Sequence, residues 1–357
     1  MNKLFYRLSL TATFLALFVI VLGAYVRLSD AGLGCPDWPG CYGQILAPSA
    51  PHDIDAANNA FPESPVESPK AWKEMVHRYF ASSLGLFIIA MAVIAWKRRK
   101  TQSQQVKLPL FLVILVGFQG ALGMWTVTML LKPAIVTLHL LGGMLTLALL
   151  WWTTLSHRLY QNKIKADLYV PKTIKYWAIF ALIIVFCQIA LGGWTSTNYV
   201  ALHCWDLPTC QGQWLPPTDF KEGFTLWHTG NDTNYEGGLL SLEAGTAVHL
   251  THRIGALITF VIIGGLALKL FFLGTPTSRR FSMLLTVVLG VQIVLGLLNI
   301  ILVLPIPIAV AHNGGAALLL LTMVTINRKI TTVEQTATQT IEKEPSSYHL
   351  DQNISTT

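Results

Sequence analysis

The sequence predicts an all-α integral membrane protein, with eight transmembrane helices forming two repeated four-helix bundles. Three observations carry that expectation. Of 357 residues, 53% are hydrophobic and only 12% are charged, with a mean hydropathy of +0.52, whereas soluble domains carry about a quarter charged residues. The apolar residues gather into eight stretches of spanning length. Landmarks of the first half recur in the second at a nearly constant offset.

Taken in order, the first stretch is 8–26. It follows Lys3 and Arg7 as a secretory signal would, but it is long and lacks a small-residue cleavage site before Arg27 and Asp30, so it is read as a retained helix. The stretches 74–96, 108–130 and 133–153 complete the first half, and 174–194, 247–270, 281–303 and 305–326 make the second. Each reaches or approaches the ~20 residues that cross a bilayer core of ~30 Å. Backbone polar groups in lipid must bond within their own segment, so these stretches should be helices.

Basic residues set the orientation. With the N-terminus cytoplasmic, 18 of the 25 Lys and Arg residues fall inside, among them Lys97, Arg98, Arg99 and Lys100, as the positive-inside rule requires. The net charge of +7 is therefore a topology signal and not a nucleic-acid footprint. The expected organisation is a first half over 1–154 and a basic cytoplasmic linker over 155–173. A second half over 174–330 and a polar tail over 331–357, disordered in the cytoplasm, follow. Two long outer loops, 27–73 and 195–246, remain.

The repeat extends beyond hydropathy. Leu22-Gly23 with Cys35 and Cys41 matches Leu191-Gly192 with Cys204 and Cys210 at an offset of 169; Gly117, Gln119, Leu122 and Gly123 match Gly290, Gln292, Leu295 and Gly296 at 173. His77-Arg78 and His139 correspond to His252-Arg253 and His312, at 175 and 173. A parallel duplication of four helices accounts for all of these, because each half enters the membrane from the same side.

Histidine inside a membrane helix is costly without a partner. One alone could be a hydrogen-bonded packing residue, but four duplicated in register point to chemistry. His139 lies about six residues into its span, so at ~1.5 Å per residue it sits ~10 Å or less below the outer end, at a depth His77 can share. Facing imidazoles in a four-helix bundle suit axial ligation of haem iron. A lone metal ion lacks the carboxylates or thiolates to complete its site. Arg78 and Arg253 are candidates to pair with haem propionates, or simply to snorkel to the interface. Glu74 and its counterpart His249 each precede a histidine by three residues, on one helical face. A carboxylate in one half and an imidazole in the other imply divided labour: charge or proton handling at Glu74, cofactor binding at His249.

In an oxidising outer compartment Cys35 with Cys41, and Cys204 with Cys210, should each form a disulfide. No short two-residue spacing favours zinc. Cys187 is read as a small packing residue. The Pro, Ala and Ser-rich stretch 44–70 and the segment 216–246 are candidates to cover the sites, with disordered surface loops the more cautious reading. Trp38, Trp205 and Trp214 are candidates for porphyrin contact or interfacial anchoring. Among the remaining histidines only His203, next to Cys204, lies near a candidate site.

Gly23-Ala24-Tyr25-Val26-Arg27-Leu28-Ser29 leads into Gly32-Leu33-Gly34-Cys35-Pro36-Asp37-Trp38-Pro39. With Glu74-Met75-Val76-His77-Arg78, Leu138-His139, His252-Arg253 and Ala311-His312-Asn313-Gly314-Gly315, these residues resemble the haem A synthase family, in its cysteine-containing bacterial type. The resemblance covers residues 1 to about 330. It implies an inner-membrane oxidoreductase that turns a methyl group of haem O into formyl for cytochrome oxidase. It further implies haem b as cofactor on His252 and His312, substrate iron at His77 and His139, and Glu74 as the essential carboxylate. The implied partners are haem O, a haem O synthase, cytochrome oxidase assembly factors, an electron donor the residues do not identify, and membrane lipid. Homo-oligomerisation is left open. The rival readings are a di-haem b electron-transfer protein, a thiol oxidoreductase, which leaves the histidines unexplained, and a transporter, weakened by the parallel duplication.

Overall fold

The computed structural model describes residues 3–100, 106–162, 170–227 and 233–341, with the backbone alone for 157–162 and 331–341. In chain order the helices are α1 (Lys3–Leu28), α2 (Pro51–Ala60), α3 (Ser68–Lys97), α4 (Lys107–Thr128), α5 (Pro133–Asn162), α6 (Lys172–Thr197), α7 (Phe220–Gly223), α8 (Leu242–Phe272), α9 (Pro276–Ile301) and α10 (Ile306–Ile341). All but α2 and α7 are long and apolar enough to cross a membrane, so this is a multi-pass membrane protein. Among the described residues there is no strand, only isolated bridges pairing Cys41 with Gln44 and Cys210 with Gln213.

Helix starts follow local chemistry. The hydroxyl of Ser241 accepts the Ala244 N–H at 3.2 Å and opens α8; that of Thr275 accepts the Ser278 N–H at 3.1 Å and opens α9. Each satisfies one N–H donor that the first turn otherwise leaves orphaned. The turns from α4 to α5 and from α9 to α10 are the same turn built twice. Leu130 and Leu131 correspond to Val303 and Leu304, all four with positive φ, and Leu131 N–H bonds Thr126 O as Leu304 N–H bonds Asn299 O.

Within the first half α1 packs on α3 and α5, and α4 on α3 and α5. This closes a ring in which α3 and α5 stand diagonally opposite. The second half repeats it: α6 packs on α8 and α10, and α9 on α8 and α10, with α8 and α10 diagonal. The halves meet through α1, α5, α6 and α10. Buried alanines on α1 and α6, Ala12, Ala16, Ala178 and Ala181, let neighbouring backbones approach closely, as packing in lipid requires. Outward faces carry exposed Leu86, Ile114, Met283 and Phe272, which belong against lipid chains.

The seam has a pseudo-twofold axis. Arg27 donates to the carbonyl of Ser196 at 2.7 Å, across 169 residues, the repeat offset itself, so the residue bonds its own counterpart. Farther along, Trp151 Nε1 donates to Thr325 Oγ1 at 2.7 Å across 174 residues, one position from its repeat mate. The Arg27 guanidinium also lies 3.8 Å from the centroid of the Tyr199 ring.

The structure revises four expectations. α3 and α8 begin at Ser68 and Leu242, before the apolar windows at 74 and 247, because Pro69 in the first turn of α3 and the Ser241 cap of α8 start each helix ahead of its apolar run. The stretch 44–70 is ordered: it contains α2, and Tyr42, Ala47, Ala57, Ala71 and Met75 form a buried cluster there. Cys187 is exposed rather than packed, since on a membrane helix an apolar side chain can equally face lipid. α10 runs past 330 to Ile341, and residues 342–357 of the expected tail, like 163–169 of the linker, lie outside the described residues.

Candidate functional site

The four histidines fall where the repeat places them. His77 is on α3 and His139 on α5; His252 is on α8 and His312 on α10. Each pair therefore projects from diagonally opposed helices. Depth matches too: His77 is nine residues from the start of α3 and His252 ten from that of α8, while His139 and His312 both lie six into their helices.

A glycine on the neighbouring helix receives each imidazole. A methyl on Gly23 would lie 2.9 Å from Cε1 of His77, and one on Gly192 would lie 3.1 Å from that of His252. On Gly296 it would be 3.0 Å from Cε1 of His312, and on Gly123 3.5 Å from that of His139. Real side chains essentially never approach as closely as the first, and the next two are tighter than nearly all real contacts, so a methyl there would force the ring to shift. Glutamines form a further layer. Gln188 Nε2 lies 3.0 Å from Nδ1 of His252 and Gln292 Nε2 lies 3.4 Å from Nε2 of His312. The Nδ1 atoms of His77, His139 and His312 are buried without a hydrogen-bond partner. Among the described residues no three His, Cys, Asp or Glu cluster as a metal site. The arrangement thus offers two pairs of opposed imidazoles, with a buried unpartnered ring nitrogen on His77, His139 and His312, a donor set that fits a planar metal macrocycle.

Above each pair sits a disulfide loop, and the bonds of Cys35 with Cys41 and of Cys204 with Cys210 are formed. Glu74 is buried, and its Oε2 accepts the Cys35 N–H at 2.9 Å. In the second half His249 does the same work, Nδ1 accepting the Cys204 N–H at 3.0 Å. The divergent pair is thus equivalent in space as well as in sequence. Arg78 pairs with Glu74 and donates to the carbonyls of Asp37, Pro39 and Gly40 at 3.1, 3.3 and 2.5 Å. Arg253 donates to Thr209 O at 3.0 Å and Pro208 O at 3.1 Å. Both arginines, expected at propionates or the interface, fasten the loops onto α3 and α8.

Inside the loops Asp37 accepts the amides of Tyr42 and Gly43 at 2.6 and 2.7 Å. Asp206 accepts those of Gln211 and Gly212 at 2.5 and 3.0 Å together with the Thr209 hydroxyl. That hydroxyl, with the amides, holds the Asp206 carboxyl below its ordinary range. His203 packs over Gly245, and burial pushes its imidazole below the usual histidine value. Trp38, Trp205 and Trp214 are exposed.

A model of the cytochrome oxidase assembly protein family matches residues 6–324, which takes in every residue just described. The chain belongs to that family. Among its relatives, a protein of Shewanella oneidensis is 45% identical over 325 residues, covering 91% of this chain and 96% of its own. One from Allorhizobium ampelinum is 27% identical over 336 residues, 89% of this chain and 88% of its own. One from Shouchella clausii is 28% identical over 220 residues, 60% and 67% respectively. All three are named heme A synthase. In this cytochrome oxidase assembly protein the glycines that receive the imidazoles were visible in the sequence only as matched repeat positions. Lys132, buried at the start of α5, carried no such signal.

Proposed function

We propose that the chain is a haem A synthase, which oxidises a methyl group of haem O to formyl. The observation that carries this reading is the doubled site, two diagonal histidine pairs with free ring nitrogens that differ in Glu74 against His249. The shared name of relatives matching nearly the whole chain supports it.

In this reading His252 and His312 hold haem b in the second half, and His77 and His139 hold the iron of haem O in the first. The bound haem b supplies one-electron redox chemistry within the membrane. The protein's own residues orient and insulate. Gly23, Gly123, Gly192 and Gly296 let the rings stand between helices, and Gln188 fixes the ring of His252 through Nδ1. The disulfide loops, fastened by Arg78 and Arg253, cover one end of each bundle and restrict water there.

Glu74 lies one turn from His77 on α3, and its second-half counterpart is the imidazole of His249. A carboxylate at that place stabilises positive charge developing beside the substrate methyl and can carry a proton on Oε1 or Oε2. The reaction requires two successive two-electron oxidations: the methyl becomes an alcohol, then a hydrated aldehyde that loses water. The basic residues at the end opposite the disulfide loops support a cytoplasmic placement for that end in a bacterial inner membrane.

Extraction and mass analysis of haem from the purified protein tests the reading. Expressed without a haem O synthase, the protein should yield haem B alone; with one, haem A or its hydroxymethyl precursor should appear. Haem B alone in both backgrounds would replace the reading by electron transfer. Glu74→Gln should keep haem B but accumulate haem O or the alcohol, and undiminished haem A from it would remove the role given to Glu74.

A further inference from the structure

The cations on the loop face of the first half all have partners, but one of them is buried with an aromatic ring alone. Arg27 is held by Ser196 O and the Tyr199 ring, Arg78 by Glu74 and the disulfide loop, and Lys70 by Glu67 at 2.8 Å. Lys73 stands over the Tyr25 ring at 5.2 Å, toward the surface. Lys132 is different. It is only 8% exposed, and among the described residues no carboxylate lies within ion-pair distance of it. Its ammonium rests 3.4 Å from the centroid of the Trp227 ring.

Burying an ammonium without an anion is costly, and an aromatic face offsets only part of that cost. The place is also built. Leu130 and Leu131, both with positive φ, set the turn that presents Lys132, and both loops press on it. Gly32 of the first loop packs against Leu131, and Tyr235 of the second donates its N–H to Leu130 O at 3.0 Å. The Tyr235 hydroxyl is itself buried and unpartnered. Lys132 immediately precedes α5, whose N-terminal dipole favours a negative charge there. His139 follows seven residues later, hence on the same stripe of the helix and ~10 Å deeper. The equivalent of Lys132 in the second half is Pro305, so this cation exists only in the half assigned to substrate.

We propose that Lys132 is the anchor for a propionate carboxylate of the substrate porphyrin, with the Trp227 indole as the cover on which the ammonium rests when no carboxylate is present. This rests on the first half being the porphyrin substrate site. Arg27 is taken by the seam and Arg78 by Glu74 and the loop, Lys73 lies toward the surface, and Lys132 is the buried cation of this face with no carboxylate beside it among the described residues. Trp227 belongs to the second half, so that half closes the mouth of the first.

The test uses the full-length protein purified with its own haem, titrated with haemin and with haemin dimethyl ester while the Soret band is followed. Lys132→Met should weaken haemin binding about tenfold, as expected for loss of one charge-assisted contact, and leave the ester unchanged; Lys132→Arg should retain most of the preference for the diacid. Trp227→Ala, which leaves the ammonium in place, should keep that preference. Equal loss for both ligands in Lys132→Met, no loss for either, or a lost diacid preference in Trp227→Ala would overturn the assignment. The His77→Ala, His139→Ala double variant separates the two levels of inference. If it leaves both titrations unaltered, porphyrin does not enter the first half, and the proposed function fails independently of the lysine.

Discussion

Glycine decides how near a neighbouring helix can stand to each imidazole, and the four positions are not equally tight. Gly23, Gly296 and Gly192 leave 2.9, 3.0 and 3.1 Å for a methyl, whereas Gly123 leaves 3.5 Å, an ordinary van der Waals contact. Gly23→Ala, Gly296→Ala and Gly192→Ala should each turn the ring and lower the haem retained by their half roughly tenfold, the size typical for losing a residue that orients a ligand. Gly123→Ala should stay within about twofold. Gly290, with nothing within 4 Å, provides the control. Pyridine haemochrome assays measure the series, and equal damage at Gly123 and Gly23 would contradict the steric account. At this scale the histidines were legible because polar residues stand out in apolar helices. The matched glycines were visible but mute, since a repeat cannot distinguish a glycine under an imidazole from one that merely packs. Lys132 was hidden altogether: a single lysine at the end of a span reads as an interfacial charge.

Among elements, the hydropathy windows located every spanning helix but opened α3 and α8 late, because caps and first-turn prolines, not the apolar run, set where a helix starts. The order of the loops was illegible for a related reason. A Pro, Ala and Ser-rich composition gives no sign that Asp37 and Asp206 will each gather the amides of a following turn, or that Arg78 and Arg253 will fasten that turn to a helix. Arg27 is where α1 meets α6, combining a guanidinium hydrogen bond with a cation–π contact at a site where its side chain is only 14% exposed. Arg27→Ala should destabilise the protein by about 2–3 kcal/mol and lower its melting temperature in detergent. Arg27→Lys should recover part of the loss, because a lysine keeps the charge without the planar fork. An unchanged melting temperature for the alanine variant would show that the halves are held by the packing of α1 on α10 and of α5 on α6 and α10 alone.

For the whole molecule, the offsets of 169 to 175 residues were enough to predict two like bundles. They could not give the ring order or the faces that meet at the seam, because a surface against lipid and a surface against protein are equally apolar. Two self-contained rings should be separable in function. His252→Ala with His312→Ala should abolish the haem B that copurifies, while His77→Ala with His139→Ala should leave it nearly intact and remove the binding of added haem O. Loss of all haem from either double variant, in a protein that still melts cooperatively, would mean the sites are not independent. Arg27 bonding its own repeat counterpart has a consequence for how such a protein can come to exist. A contact between equivalent positions is what two identical chains make across a twofold axis, so the molecule has the interface of a homodimer written on a single chain. In a true homodimer a change on one side is copied to the other, and Glu74 and His249 would have to be the same residue. Carried on one chain, the two copies are free to differ, as Glu74 and His249 do.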